Sequence, residues 1–352
     1  MLRRLRKVFE AIRILLRWVK WYTFIQAAVL VGMFRQHRQI VSCWPELPVT
    51  LPPKVVVFVH FDRHGGVRPQ LLSYMREFAA HGRAVVFVTN AGLLKPEAET
   101  QLREICSAII VRRNRGYDFG AWREAIEHLG LPRAETAELI LVNDSVFGPL
   151  RPIGDMLEKF DYGTADVWGL TESWQTRYHL QSFFLAFGPA ALGSAAFTKF
   201  WANVRPVPAK SYIVKIYEVG ITQVMLKAGL RCAAIWTYDA LTSMVDDAAL
   251  ESLLATEQSE LGKTDPIHVT RKLQVMKVRD CVARRVAMNP TSDLWRQLLV
   301  SGFPFIKREL LRDNPTEVQD IGDWINVARE LFGAAPETIV TDLRLMMKDS
   351  TP

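Results

Sequence analysis

An acidic residue follows an apolar run in the middle of the chain, where 138-ELILVND-144 continues into Ser145. Asp144 offers carboxylate oxygen, which a hard divalent cation prefers, and Asn143 and Ser145 offer neutral oxygens beside it. Such a cation also binds the oxygens of a substrate diphosphate, and it neutralises the leaving group when a carbon–oxygen bond breaks. The triplet therefore predicts a site for Mg²⁺ or Mn²⁺ and a diphosphate, with Asp144 as the metal ligand. The structural alternative is an Asx turn that ends an ordinary strand.

A second group of candidate residues lies in the segment 112-RRNRGYDFGAWR-123. Its arginines suit phosphate oxygens, and its glycines let the backbone approach a ligand closely. Asp118 is suited to accept bonds from a ribose or a base; in the structural alternative it caps the next helix. The residues expected to position the nucleotide or its diphosphate are Arg113, Asn114, Gly116 and Asp118.

The elements that must position these residues follow from the hydrophobic pattern. Four short runs rich in β-branched residues alternate with segments of helical periodicity. Strands are predicted at 54–62, 83–90, 107–113 and 138–144, with helices at 67–81, 95–106 and from 120 to about 128. This alternation is typical of an α/β protein with a doubly wound parallel sheet, whose ligands bind beyond the carboxyl ends of the strands.

Polar residues follow all four predicted strands, as a binding cleft would require. His60 and Asp62 follow the first strand and are expected near a nucleoside, and Asn90 follows the second. After Pro149 the pattern is less regular, with further strands predicted at 166–173 and 182–188 and a helix at 190–204. The chain is mainly helical from about residue 265.

Several function classes are disfavoured by motifs that the sequence lacks. It contains no GxxxxGK[ST] loop, no GxGxxG after the first strand, no HExxH and no GxSxG. Kinases and dinucleotide-dependent oxidoreductases are therefore disfavoured, and a methyltransferase would need a glycine-rich first turn. The four cysteines form no CxxC pair, which argues for a reducing compartment and against a disulfide framework or a zinc site.

The formal net charge of +7 is concentrated near the N-terminus. The first 40 residues hold nine basic residues and one acidic residue, whereas the other 312 hold 35 basic and 36 acidic ones. An uncharged run, 21-WYTFIQAAVLVGMF-34, lies between the basic segment and Arg35 and Arg38. At 14 residues it is short for a bilayer span, which needs about 20.

This arm is predicted to be an amphipathic helix on an anionic membrane surface. Apolar residues recur in it at helical spacing, with arginines on the other face, and Trp18, Trp21 and Tyr22 suit headgroup depth. A helix packed on the body of the protein or on a partner is the alternative. Nucleic acid is not expected as a partner.

The chain resembles the rhamnan synthesis protein F family of bacterial glycosyltransferases. The blocks that carry the resemblance occur in order and span roughly residues 54–330: 112-RRNRGYDFGAWREAI-126, 141-LVNDSVFGPL-150, 166-DVWGLTES-173, 179-HLQSFFLAF-187, 217-YEVGIT-222 and 303-FPFIKRELLRDNP-315. The resemblance implies a GT-A-like, nucleotide-sugar-binding Rossmann-type sheet. It also implies synthesis of rhamnose-containing polysaccharide or O-antigen at the cytoplasmic face of the bacterial inner membrane, to which the protein would bind peripherally.

The resemblance also implies roles for individual residues. GT-A enzymes place a DXD triplet with two acids where this chain has Asn143, Asp144 and Ser145. Glu218 lies just before a predicted helix and resembles the base of inverting enzymes; the alternative is a capping or exposed helix acid. His179 is a second candidate for contact with the acceptor or the diphosphate, or else a structural histidine. Residues 303–315 either contact a lipid diphosphate or, as we favour, form a helix that closes the core.

The resulting hypothesis is a metal-dependent, inverting glycosyltransferase with a nucleotide-sugar donor, most simply dTDP-L-rhamnose, and a lipid-linked glycan acceptor. A non-catalytic scaffold that binds a nucleotide-sugar or a glycan is the alternative, because the second acid of the triplet is missing. Four regions are predicted: a membrane-associating arm at 1–44, a Pro-rich linker at 45–53, a GT-A-like catalytic domain at 54–264 and a helical C-terminal region at 265–352.

Overall fold

The computed structural model describes residues 2–34, 39–46, 48–257, 265–333 and 336–349. Its strands are β1 Ile40–Trp44, β2 Lys54–His60, β3 Ala84–Thr89, β4 Ala108–Arg112, β5 Glu138–Asn143, β6 Val146–Phe147, β7 Val167–Ser173, β8 His179–Leu180, β9 Phe184–Phe187, β10 Cys232–Trp236 and β11 Ile306–Lys307.

The helices are more numerous than the strands and dominate the C-terminal third. They are α1 Leu2–Phe34, α2 Pro69–Ala80, α3 Pro96–Arg103, α4 Tyr117–Leu129, α5 Gly154–Leu157, α6 Pro189–Leu192, α7 Ala195–Asn203, α8 Lys210–Tyr212, α9 Val219–Lys227, α10 Tyr238–Ser243 and α11 Asp247–Glu257. A π-helix, Ile213–Glu218, joins α8 to α9. Later helices span Pro266–Ala283, Pro290–Asp293, Trp295–Val300, Arg308–Asp313, Trp324–Phe332 and Pro336–Asp349, with a 3-10 turn at Ile321–Asp323.

The nine-stranded sheet has the order β1-β4-β3-β2-β5-β9-β7-β10, and β8 pairs with β7 at its margin. Strands β4, β3, β2 and β5 run parallel, and β10 runs parallel to β7. Strand β9 is antiparallel to both of its neighbours, β5 and β7. Counted in chain order, the first four parallel strands lie in the order third, second, first, fourth, as in a doubly wound fold whose strand order reverses between the first and the fourth.

The parallel strands are apolar on both faces because helices cover both sides of the sheet. Val56 and Phe58 of β2 belong to the core beneath α2 and α3. Val55 and Val57 point the opposite way, into the core beneath α4, where Trp122 is completely buried. This alternation lets one strand support two cores.

The structure confirms the predicted α/β class, with its Rossmann-type sheet, its N-terminal helix and its helical C-terminal region. The four predicted strands and three helices of the first half are all present, with bounds within three residues of those expected. The helix expected at 190–204 is divided into α6 and α7. Strand β10 was not predicted from the sequence.

The arm and the sheet meet at β1. The predicted helix is present as α1, and the two arginines expected to end its apolar run, Arg35 and Arg38, lie outside the described residues. Residues 40–44 form an edge strand antiparallel to β4, so they extend the sheet, although the sequence placed them in the arm. No helix in the described ranges is long and apolar enough to span a membrane.

The C-terminal region is joined to the end of β5. Strand β11 pairs with β6, so that Ile306 lies opposite Phe147 and Lys307 opposite Val146. A third core, which includes Phe147, Ile306 and Trp324, packs behind this two-stranded sheet. Residues from positions 306–308 are thereby held directly beside the polar segment 143–145.

Candidate active site

The candidate site lies where the chain reverses direction across the sheet. From β2 the chain passes through α2 to β3 and through α3 to β4, always outward on one side. After α4 it crosses to β5, on the other side of β2. The carboxyl ends of β2 and β5 therefore flank a topological switch point, which is where open α/β sheets bind their ligands.

Asp144 stands at this switch point, one residue beyond β5. Its backbone N–H donates to the Val59 carbonyl at 3.1 Å, which fixes the residue against the end of β2. Its Oδ2 accepts from Arg308 Nη1 at 2.8 Å and from the Phe61 amide at 3.4 Å. The carboxylate is thus positioned by strand ends and paired with a cation, although its side chain keeps 15% of its exposure.

Asn143 organises the turn that follows β5. Its Oδ1 accepts from the Ser145 amide at 3.1 Å and from Ser145 Oγ at 2.5 Å. The Asx turn considered as the structural alternative is therefore present, but its acceptor is Asn143. The Asp144 side chain takes no part in it and points to other partners.

Asp118 lies in the first turn of α4 and contacts Asn143 of the triplet. Its Oδ2 accepts from Asn143 Nδ2 at 2.8 Å. Gly116 occupies the N-cap position, so Asp118 is not the helix cap that the sequence left open. Burial raises the pKa of the Asp118 carboxyl to about 7, and the nearby Asp144 carboxylate raises it as well.

Two cations that the sequence assigned to a structural helix reach this site. Lys307 Nζ donates to Ser145 Oγ at 3.1 Å and lies 4.8 Å from the centre of the Phe183 ring. Arg308 donates from its backbone N–H to the Ser145 carbonyl at 3.0 Å, in addition to its ion pair with Asp144. Ile306 and Leu310 of the same block pack in the third core, as the favoured interpretation of residues 303–315 as a core-closing helix predicts, and the contacts of Lys307 and Arg308 are additional to that role.

A small, partly open cleft lies beside Asp144 and Arg308. His60, Phe61 and Asp62 line it from the end of β2, and Asp342 of the last helix faces them. The His60 ring is buried and its Nδ1 lies 3.2 Å from Thr89 Oγ1; burial lowers the pKa of its imidazole.

Asp62 shapes the loop that forms this cleft. Burial acts to raise its pKa, but hydrogen bonds from the His64 and Gly66 amides to Oδ1 outweigh that effect and lower it. The Asp62 carboxylate is therefore partly occupied by its own loop. His60 and Asp62 lie in the cleft where the sequence predicted a nucleoside contact.

The arginine-rich loop divides into a buried part and an exposed part. Arg112 is buried; it pairs with Glu124 at 2.6 Å and donates to Asn90 Oδ1 and to the Arg115 carbonyl. Asn90 therefore helps to hold the buried part of the loop in place, by accepting from Arg112. Arg113 and Asn114 are exposed at the same end of the sheet, free to meet a ligand.

Gly116 is required by the backbone of this loop. Its φ is +80°, and a Cβ there would stand 2.7 Å from Pro206 Cα. Its role in the structure is therefore close packing against Pro206 and a left-handed conformation, whereas the sequence predicted close approach of the backbone to a ligand.

Glu218 is the last residue of the π-helix and precedes α9. Its Oε1 accepts from the Ser182 amide at 3.3 Å. It lies near enough to Asp118 and Lys307 to act electrostatically on both. Short π-helical turns are frequent at functional sites, and this one ends at the predicted base.

His179 is separate from this group. It is buried in β8, and its Nδ1 lies 2.8 Å from the Arg177 carbonyl. The described residues include no hydrogen bond or ion pair between His179 and Asp144, Asp118 or Glu218. The contacts of His179 are those of a structural histidine, and its predicted role in acceptor binding remains untested.

The donor set for a divalent cation is poor. In the described part of the chain, no group of three or more His, Cys, Asp or Glu residues is placed to hold a metal ion. The one carboxylate of the triplet, Asp144, is already paired with Arg308. A metal ion there would stand beside a guanidinium, which repels it, so these residues do not fit the predicted Mg²⁺ or Mn²⁺.

The site residues that sequence reasoning missed are Lys307 and Arg308. The sequence did show three cations, Lys307, Arg308 and Arg312, beside apolar residues in a block that resembles the family, but it related them to a lipid diphosphate or to a core-closing helix and not to Asp144. Nothing in its periodicity indicates that this block pairs with β6, about 160 positions earlier. That pairing is a long-range contact and is visible only in the fold.

These features define an α/β protein with a ligand crevice at the switch point of a mostly parallel sheet. Residues 85–252 match the family model of rhamnan synthesis protein F. The resemblance stated from the sequence is thereby confirmed. The matched residues include Asp118, Asp144 and Glu218 and end before Lys307.

Other known proteins are more distantly similar. Virulence protein VirA of Vibrio anguillarum is 29% identical over 252 residues, which cover 68% of this chain and 76% of the relative. Glycosyltransferase GlyE of Streptococcus pneumoniae is 12% identical with a TM-score of 0.33, covering 58% of this chain and 50% of its own. Mannosyltransferase PcManGT of Pyrobaculum calidifontis, solved with GDP-Man and Mn²⁺, is 10% identical with a TM-score of 0.30. The match covers 91% of this chain and 97% of the mannosyltransferase. These TM-scores are too low to support a fold assignment. The assignment therefore rests on the strand order described above.

Proposed function

We propose that this chain is a glycosyltransferase that uses a nucleotide-sugar donor. The observation that carries the proposal is the Asp144–Arg308 pair at the switch point between β2 and β5, beside the cleft lined by His60 and Asp62. A crevice at this place suits a nucleotide. The match of residues 85–252 to the family model of rhamnan synthesis protein F supports transfer of a sugar.

The donor would lie across the carboxyl ends of the parallel strands. Its nucleoside would occupy the cleft near His60 and Asp62, and its diphosphate would lie beside Asp144. The exposed Arg113 and Asn114 are available to the nucleotide, while Asn143, Ser145 and Asn90 hold the surrounding turns. Asp118 would stay close to the reacting sugar, near Glu218.

Glu218 would act as the general base. It would take the proton of the acceptor hydroxyl while that oxygen forms a bond to the anomeric carbon of the sugar. The bond from the anomeric carbon to the diphosphate oxygen breaks in the same step, and the nucleoside diphosphate leaves from the opposite face. The configuration of the sugar is inverted. The position of Glu218 near Asp118 and Lys307 supports this role.

The donor is proposed to be dTDP-L-rhamnose and the acceptor a lipid-linked glycan of a cell-surface polysaccharide or O-antigen. The family description, rhamnan synthesis, supports the choice of sugar. Peripheral binding at the cytoplasmic face of the bacterial inner membrane would place the site beside such an acceptor. The exposed aromatic residues Trp18, Tyr22 and Phe24 of α1 support membrane contact. The arm also meets the body, since Trp18 and Trp21 line a cleft with Ser211 and Lys215.

The metal requirement stays a prediction. The sequence predicts Mg²⁺ or Mn²⁺ at Asp144, but the pairing of Asp144 with Arg308 does not fit such an ion, and no step above depends on one. The alternative function, a non-catalytic scaffold for a nucleotide-sugar or a glycan, is motivated by the missing second acid.

The test combines binding and turnover. Thermal unfolding of the purified chain with a panel of nucleotide-sugars identifies the donor, because a ligand of the native state raises the melting temperature. Transfer and donor hydrolysis are then followed with and without Mg²⁺ or Mn²⁺. Asp144→Ala is expected to stay folded and to lose transfer by several orders of magnitude. Near-normal turnover in that variant, or donor binding without turnover on any acceptor, would contradict the proposal, and the second result would favour the scaffold.

A further inference from the structure

Two adjacent residues of the C-terminal region, Lys307 and Arg308, contact the polar triplet at the switch point, and of the two Arg308 lines the cleft. Pairing of β11 with β6 fixes the backbone of Lys307, and the Arg308 amide continues the same contact by donating to the Ser145 carbonyl at 3.0 Å. Both cations are therefore held by main-chain hydrogen bonds. Their positions do not depend on flexible side chains alone.

Arg308 is held rigidly but incompletely satisfied. Nη1 donates to the Asp144 carboxylate and to its carbonyl, and Nη2 lies 3.5 Å from Met346 Sδ. A guanidinium has five N–H donors, arranged to match two phosphate oxygens. The side chain keeps 18% of its exposure and lines the cleft, so part of its donor edge faces the space available to a ligand.

Lys307 approaches the same turn from the other side. Within the described residues, Lys307 Nζ donates to Ser145 Oγ at 3.1 Å. The Phe183 ring covers the ammonium on another side. Burial lowers the pKa of this ammonium, whereas the carboxylates of Glu218, Glu309 and Asp118 act to raise it. An ammonium offers three donors, so further acceptors are needed to satisfy it.

A departing diphosphate needs positive charge at the oxygen that gains charge when the sugar–oxygen bond breaks. Asp144 cannot supply it, and its pairing with Arg308 does not fit a bound metal ion. Lys307 and Arg308 flank the triplet that a metal would otherwise occupy. We propose that these two side chains bind the donor diphosphate directly and neutralise the leaving group, in place of a divalent cation, while Asp144 orients the guanidinium of Arg308.

This inference rests on the proposed function and adds to it a phosphate-binding pair outside the segment matched by the family model. Arg308 acts as a bidentate ligand and Lys307 as a point charge. The sugar is transferred as described above, and the diphosphate leaves as an anion held by both cations. No further reactant enters the step.

The experiment measures binding of dTDP, UDP, GDP and CDP to the full chain by calorimetry, with EDTA and separately with Mg²⁺ or Mn²⁺. The tightest diphosphate is compared with its monophosphate. We expect the diphosphate dissociation constant in EDTA to lie within about threefold of that with metal. Lys307→Gln and Arg308→Met should each weaken diphosphate binding by about tenfold or more and monophosphate binding much less. Lys307→Arg should retain most of the affinity.

Arg312→Met is the matched control. It removes a cation from the same block, but Arg312 pairs with Asp313 at the surface, 42% exposed. Its diphosphate affinity should equal that of the wild type. Should Arg308→Met fail to fold, Lys307→Gln and the metal comparison on the wild type still decide the question.

Two results would overturn the inference. Diphosphate binding that requires Mg²⁺ or Mn²⁺ and is unchanged in Lys307→Gln would assign the neutralising role to a metal and leave the proposed glycosyltransferase intact. Failure of the wild type to bind any nucleoside diphosphate under either condition would remove the proposed function together with the inference.

Discussion

Arg308 Nη1 donates to Asp144 Oδ2 at 2.8 Å across 164 positions of the chain. The two side chains are 18% and 15% exposed, so the pair is shielded from water without being sealed from it. It joins the C-terminal region to the end of β5 and places a cation where the chain reverses direction. The Asp144–Arg308 ion pair therefore both stabilises the fold and sets the charge at the candidate site.

The first prediction concerns the energy of this contact. Arg308→Met leaves a partly buried carboxylate without its partner, and we expect the free energy of unfolding to fall by about 2 kcal/mol. In the Arg308→Met background, Asp144→Asn should lower the free energy of unfolding much less than it does in the wild type. The reason is that the carboxylate it removes has already lost its partner. A double-mutant cycle from urea unfolding measures the difference. Additive effects of the two substitutions would show that the pair contributes nothing.

The second prediction follows from the raised pKa of Asp118, about 7 in the folded protein against roughly 3.9 in an unfolded chain. Between these values the folded state holds a proton that the unfolded state has lost, so ionisation favours unfolding as the pH rises. Asp118→Asn removes this penalty. Relative to the wild type, the variant should gain stability from pH 4 to pH 7, by up to about 4 kcal/mol, with no further gain above pH 7.

Urea unfolding of both proteins at a series of pH values measures this gain. Asp313→Asn is a control of opposite sign, since hydrogen bonds from Arg312 hold the pKa of Asp313 below its usual range. That variant should lose stability relative to the wild type as the pH rises through the acid range, by a small amount because the pair is exposed. A pH-independent difference for Asp118→Asn would mean that its carboxyl is not desolvated.

Much of the fold could be predicted from the sequence because the signals are local. The apolar runs that became β2 to β5 are buried on both faces, and such strands need no partner to be recognised. Strand β1 escaped prediction because an edge strand with exposed residues such as Val41 lacks that signal. Its position depends on a contact with β4, which no local pattern encodes.

The candidate site divides in the same way. Asp144 and Asn143 could be found because a polar triplet directly follows a buried strand. Asp118 was expected to serve a ligand or a helix cap; the structure pairs it with Asn143 and gives the cap position to Gly116, and its contact with a ligand stays a prediction. Lys307 could not be placed, since its role depends on the pairing of β11 with β6, a contact of long sequence separation.

The third prediction tests the loop that carries Asp118. Gly116→Ala forces an alanine into φ of +80° and puts its Cβ 2.7 Å from Pro206 Cα. We expect a loss of about 2 kcal/mol or more in the free energy of unfolding. Gly220→Ala is the matched control, because that glycine is helical and has nothing within 4 Å of an added Cβ. It should be neutral or stabilising by up to about 1 kcal/mol, and equal losses in both variants would contradict the assigned strain.

The fourth prediction concerns the arm. Arg13, Arg17 and Lys20 are exposed on α1. Replacing all three with glutamate should weaken binding to phosphatidylserine vesicles by more than tenfold, because each basic residue near an anionic surface contributes about 1 kcal/mol. Vesicle flotation of the full chain measures the binding, which should weaken in high salt.

The control for the arm carries the same change in charge elsewhere. Lys54, Lys199 and Lys227 are exposed on the body, and their replacement with glutamate should leave flotation nearly unchanged. If both triple variants lost binding equally, net charge and not the arm would be responsible. If neither lost binding, α1 would be packed on the protein or on a partner, as the alternative interpretation holds.

The last prediction isolates the proposed base. Glu218→Gln keeps an oxygen that can accept from the Ser182 amide, as Oε1 does at 3.3 Å, but cannot take a proton. The turnover number should therefore fall by about a hundredfold to ten-thousandfold, while the dissociation constant of the nucleoside diphosphate changes little. A variant that lost diphosphate affinity instead of turnover would make Glu218 a partner of Lys307 in binding, and the base would have to be sought elsewhere, first at Asp118.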